Sequence, residues 1–140
     1  MSNETSPIDD DEILYRRVPV STEWYAGGVL LSEAFTPRKD EHSGISVFRA
    51  KFKNIEEVAK GQSPKGYYVV SLLVADLRAN GIEVEPRPEV LAGWDESHAE
   101  LPQLNAANRK SNDVLTLTAR LAQLGTRIPV QGPFKPDSSV

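Results

Sequence analysis

The sequence predicts an α+β fold: a single domain in which two or three helices pack on a mixed β-sheet, with disordered termini. Three observations carry that expectation. Segments of period two alternate with segments of helical period. Gly and Pro punctuate each change of period. A chain of 140 residues, 39% of them hydrophobic, can close one core without a disulfide or metal staple.

Residues 1–11 are polar and acidic with almost nothing to bury, so they read as a disordered acidic tail. Residues 12–132 form the predicted globular α+β domain. Residues 133–140 read as a flexible tail, in which Phe134 is the one side chain suited to dock. Within the domain, residues 13–18 read as a first strand stopped by Pro19, and residues 21–25 as one helical turn. Gly27 and Gly28 form a turn before a short strand at 29–31, and residues 37–44 a charged loop.

Residues 45–53 alternate most clearly. Phe48, Ala50 and Phe52 fall on a predicted core side, and Arg49, Lys51 and Lys53 point outward. Asn54 and Glu57 have the spacing of a capping box at the start of a short helix that Gly61 ends. Residues 67–70 read as a buried strand. Ser71 is the expected cap of a helix running to Asn80, with Gly81 after it. Residues 82–85 alternate apolar and acidic until Pro86 and Pro88 interrupt, and 97–101 read as a last or edge strand. Residues 111–124 are the best helix: Val114, Leu117, Leu121 and Leu124 share a face, Ser111 caps the start and Gly125 the end. The predicted order is β-β-β-α-β-α-β-β-α.

Composition excludes several chemistries. Cysteine is absent, which removes disulfides, thiolate nucleophiles, iron–sulfur clusters and zinc sites built on Cys. The longest nearly apolar run, 67–75, is far short of the ~20 residues a membrane span needs. The first residues lack the basic and apolar regions of a secretory signal, so a cytoplasmic location is the expectation. The net charge of −4 is unevenly distributed: −5 over residues 1–12, +3 over 38–65 and −5 over 76–100.

The motifs that approach known chemistry stop short of it. His98-Ala99-Glu100 with Pro102 has the opening of a zinc deaminase site, but no thiolates exist to complete it. Asp9-Asp10-Asp11-Glu12 lacks the alternation and central Gly of a calcium loop. Residues 61–66 follow a helix and open a strand, the reverse of a phosphate-binding P-loop. No metal site and no cofactor is expected.

Leu14-Tyr15-Arg16-Arg17-Val18-Pro19, with Phe35-Thr36-Pro37 and Gly44-Ile45-Ser46-Val47, resembles a group of small uncharacterised bacterial proteins that open LYRR(I/V), then AF-x-P and (L/I)SV. The resemblance covers roughly the first fifty residues and implies no activity. The same opening is similar to the first strand of NAD-using folds such as ADP-ribosyltransferases and RES-type toxins. That similarity implies a strand-borne Arg16 or Arg17 holding a dinucleotide and Glu100 acting on its ribose.

The functional expectation is a non-catalytic protein-interaction or regulatory module of a bacterium, whose partner is another protein with an acidic surface. Arg38, Lys39, Arg49, Lys51 and Lys53 are the candidate binding residues. The competing account neutralises the row at 49, 51 and 53 with Glu83 and Glu85 across the sheet. The alternative is the NAD-using enzyme, with Arg16, Arg17 and Glu100 catalytic. A nucleic-acid-binding module ranks third, since only the basic row favours it and the net charge opposes it.

Overall fold

The computed structural model describes residues 6–61, 63–90 and 93–135. Its strands in chain order are β1 (Ile13–Pro19), β2 (Tyr25–Ala26), β3 (Val29–Leu30), β4 (Ile45–Arg49), β5 (Tyr67–Leu73), β6 (Glu85–Pro86), β7 (Glu89–Val90), β8 (Gly93–Trp94), β9 (His98–Leu101) and β10 (Gln131–Phe134). The helices are α1 (Ile55–Val58), α2 (Val74–Ala79) and α3 (Asn112–Leu124), with 3-10 turns at Ser32–Phe35 and Ala106–Asn108. The α+β architecture is as predicted. Its main sheet, however, is antiparallel in every pairing rather than mixed, with strand order β10-β5-β1-β4-β9-β6. β2–β3 and β7–β8 are separate two-stranded hairpins.

One face of the sheet carries the core. Leu14 and Val18 of β1, Val47 of β4, Leu72 of β5 and Leu101 of β9 are buried there. Val114, Leu121 and Leu124 of α3 join them in one cluster, together with Phe35 from the first 3-10 turn. Ser111 caps α3 as expected, its hydroxyl accepting from the Val114 N–H. The second face is covered only in part. Val58 and Ala59, at the end of α1, pack with Tyr67 and Val69, flanked by Tyr15 and Phe48. The predicted capping box opens α1, with Asn54 and Glu57 each accepting from the other's backbone N–H. The end of the second face that α1 leaves uncovered is where Ser46, His98 and Glu100 project.

β4 reverses the predicted alternation. Ile45, Val47 and Arg49 face the core and Phe48 is half-buried on the other side. The strand ends at Arg49, and residues 50–53 turn away. Two apolar phases compete in this stretch, one at 45 and 47 and one at 48, 50 and 52. A salt bridge settles the contest in favour of the first. The Arg49 guanidinium, 0% exposed, forms a bidentate pair with Glu12 at 2.8 and 2.7 Å. It also donates to the carbonyls of Ser6 and Pro7 at 2.8 and 2.9 Å.

That pair also corrects the expected N-terminal boundary. Residues 1–5 lie outside the described residues, but residues 6–11 dock on the domain, with Ile8 in the core. The carbonyls of Asp10 and Glu12 accept from the N–H groups of Ala75 and Val74, capping α2 from the backbone. Ser71, the predicted cap, is instead a buried residue of β5 opposite Tyr15, because the strand continues to Leu73. At the other end, β10 carries the chain to Phe134 and so past the predicted domain limit of 132; residues 136–140 lie outside the described residues.

Leu121→Ala should destabilise the domain by about 2–5 kcal/mol through lost transfer energy and an unfilled cavity. Urea unfolding checks it; a loss below about 0.5 kcal/mol would mean that this helix face is not packed. An acid titration supplies a second check. Burial pushes the Glu12 carboxyl up, but hydrogen bonds from Arg49 and the Asp9 N–H, with the charges of Arg49 and Lys51, hold it below its ordinary 4.5. A depressed carboxylate contributes stability that is present above its unfolded value and lost as pH falls through the folded one. Stability should therefore fall on acidification below 4.5, and Glu12→Gln should flatten that part of the profile. An unchanged acid limb in Glu12→Gln would contradict it.

Candidate functional site

The loop between the first 3-10 turn and β4 is organised by a second buried ion pair. Arg16, on the core side of β1, is 4% exposed. Its Nη1 donates to Glu41 Oε2 at 3.0 Å and to the Ser46 carbonyl at 2.9 Å, and its Nε to the Ala34 carbonyl at 3.3 Å. The Glu41 carboxylate also accepts from the N–H groups of Arg38 and Ser46, at 2.9 and 2.8 Å. Burial raises the Glu41 carboxyl, but the charge and hydrogen bond of Arg16 with the two backbone donors hold it below its ordinary value. Gly44 lets the loop close on β9: at φ 145 a Cβ there would meet the Leu101 carbonyl oxygen at 2.7 Å.

This frame places Arg38 between two concavities. The larger, of 300 Å³, is lined by Trp24, Glu33, Arg38, Lys39 and Arg109 among others. The smaller, of 170 Å³, is lined by Arg16, Arg17 and Arg38 with Asp40, Glu41 and Ser46, and by the Phe48 ring. The Arg38 guanidinium stands 5.6 Å from the centroid of the Trp24 ring. Partial burial and then the neighbouring charge of Arg16 push its pKa down, with Arg17 adding to the crowding and Glu41 and Asp40 opposing it. Among the described residues, the side chains of Arg38, Lys39 and Arg109 make no hydrogen bond or ion pair. The surface thus holds several cations whose side-chain donors have no protein acceptor among the described residues.

A second cluster lies along β9. His98 Nδ1 is 2.6 Å from the Arg87 carbonyl, so that nitrogen donates, and Nε2 lies 3.1 Å from Ser46 Oγ. Glu100 accepts from Ser43 Oγ at 2.8 Å and lies 3.5 Å from Arg87 Nε. Glu100 lines a separate concavity of 600 Å³ with Arg87, Glu89 and the 47%-exposed Trp94. Among the described residues no group of three His, Asp or Glu side chains converges as a metal site.

The candidates from sequence are therefore redistributed. Arg38 and Lys39 share one concavity, as a joint binding site requires. The row at 49, 51 and 53 does not exist. Arg49 is buried against Glu12, Lys51 lies over Phe52 at 5.2 Å, and Lys53 pairs with Asp95 at 2.9 Å. Glu83 and Glu85 do not neutralise that row, because β4 pairs with β1 and β9 while Glu85 sits at the far edge on β6 and binds Arg87. Arg16 and Arg17 line one concavity and Glu100 another, with Glu100 paired across the sheet to Ser46 of the first. Arg17 lies over the Tyr67 ring at 4.7 Å and donates to the Lys60 carbonyl. Trp24 and Arg109 joined the site without a sequence signal for that role, since they come from segments 85 positions apart. No family model, curated protein or solved structure matches the chain.

Glu41→Gln should loosen this loop without unfolding the sheet. Hydrogen exchange of the Arg38 and Ser46 amides, both bonded to Glu41, should speed up while that of the β5 amides does not. Equal protection of those two amides in both proteins would count against Glu41 as the organiser.

Proposed function

We propose that this domain is a non-catalytic protein-interaction module that takes an acidic segment of a partner protein in the cleft around Arg38. One observation carries the reading: Arg38, Lys39 and Arg109 converge on a concavity beside Trp24 with their donors unspent. Several cations elsewhere are paired within the chain, as Arg49 with Glu12, Lys53 with Asp95, Arg78 with Asp10 and Arg127 with Asp76; Arg38, Lys39 and Arg109 differ from the remaining unpaired ones in lining one concavity together. Glu33, on the wall of the cleft, is the only carboxylate among the residues lining it. A partner's carboxylates would complete bidentate pairs with the two arginines, and an apolar side chain beside them would cover the Trp24 ring. The chain's net charge of −4 opposes the long-range attraction on which binding to an extended phosphate backbone rests, so the site is read as one for a short acidic segment that meets the local cations.

The charge-reversed variant Arg38→Glu/Arg109→Glu tests the proposal against a fluorescein-labelled Asp/Glu-rich peptide. Binding should weaken more than about tenfold, while the unfolding free energy stays within about 0.5 kcal/mol of wild type. The wild-type affinity should also fall as salt is added, because the cleft is open to solvent. Equal affinity of wild type and variant would dispose of the cleft as the binding surface.

A further inference from the structure

We infer that the smaller concavity behind Arg38 is a subsite for one phosphate monoester, carried by a phosphorylated side chain of the acidic partner; this rests on the reading just given. Three guanidinium groups, of Arg16, Arg17 and Arg38, line a space of 170 Å³. The two carboxylates in that lining are unequally engaged. Glu41 is spent on Arg16 and on two backbone N–H groups. Asp40 is exposed and makes no ion pair among the described residues.

The donors left over define the ligand. Arg16 uses Nε and Nη1, leaving Nη2 without an acceptor among the described residues. Arg17 uses Nη1 on the Lys60 carbonyl and is steadied on the Tyr67 ring, leaving Nε and Nη2. Arg38 has its whole fork free. Three guanidinium-bearing side chains around one small space suit a tetrahedral group with three terminal oxygens, because a carboxylate brings only two oxygens to the same donors. Size agrees. The space, 170 Å³, has room for a phosphate group. Arg16, anchored at 4% exposure, makes the wall rigid, and the Phe48 ring gives it an apolar side where charge is poorly screened. The adjoining cleft of Trp24, Lys39 and Arg109 then receives the chain that bears the phosphate.

The test uses three labelled peptides of one acidic sequence, with Ser, Asp or phosphoserine at the centre. Inorganic phosphate is tested separately, at ionic strength matched with chloride. The phosphoserine peptide should bind about tenfold more tightly than the Asp peptide. Arg17→Gln should erase that advantage and leave the Ser peptide's affinity unchanged. Inorganic phosphate should raise the melting temperature of wild type and not of Arg17→Gln. If Arg17→Gln fails to fold, Arg17→Lys, which keeps the charge but loses the fork, should show the same loss of preference. Equal binding of the phosphoserine and Asp peptides, with no thermal shift from phosphate, overturns the subsite and leaves the acidic-segment reading standing. Arg17-dependent stabilisation by phosphate with no peptide bound does the reverse. Absence of every effect overturns both.

Discussion

The fold depends on a buried ion pair, Glu12–Arg49. A guanidinium with no exposure is costly to hold in an apolar core unless its donors are met. Four of its five N–H groups are met, two by Glu12 and two by the carbonyls of Ser6 and Pro7. Three consequences follow. β4 must present Arg49 to the core, which puts Ile45 and Val47 inward. Residues 6–12 must dock where their carbonyls reach the guanidinium. Once docked, the Asp10 and Glu12 carbonyls lie over the open N-terminus of α2 and cap it. A single pair thus joins the N-terminal segment, the central sheet and a helix.

The second buried pair, Arg16–Glu41, does for the surface what the first does for the core. It ties the loop of residues 36–44 to β1 and β4, and through the Arg38 and Ser46 amides it fixes the loop backbone. The contrast between arginines carries the functional argument. Arg16 and Arg49 are turned inward and spent on the protein's own acceptors. Arg38 and Arg109 are displayed on the framework those two create, and their hydrogen-bonding capacity remains for a partner. Internal satisfaction marks a structural cation; convergence of unsatisfied ones beside an aromatic ring marks a binding surface.

Much of the fold was legible because local signals agreed with tertiary ones. The capping box at Asn54 and the cap at Ser111 satisfy nearby backbone groups, so spacing alone locates them. The apolar face of α3 follows from its 3.6-residue period. The failures share a different cause: each turns on a contact across long sequence separation. Residues 45–53 hold two apolar phases, and the choice between them lies 37 positions away at Glu12. The acidic stretch 9–12 reads as a solvated tail until Arg49 and Arg78 are found against it. β10 contains Gly132 and Pro133, poor strand formers that only an edge position tolerates. Of the candidate site, Arg38 and Lys39 were visible as neighbours in a charged loop. Trp24 and Arg109 were not, because nothing local links them to it.

A double-mutant cycle on Glu12 and Arg49 tests the central claim most directly. Glu12→Leu and Arg49→Met each leave the partner's charge buried and unmatched, and each should cost about 3–5 kcal/mol. The double variant replaces the pair with apolar groups, so its loss should fall short of the sum of the single losses by at least about 1 kcal/mol. Additivity within about 0.5 kcal/mol would show that the two residues act independently and that the pair does not hold the N-terminal segment to the sheet.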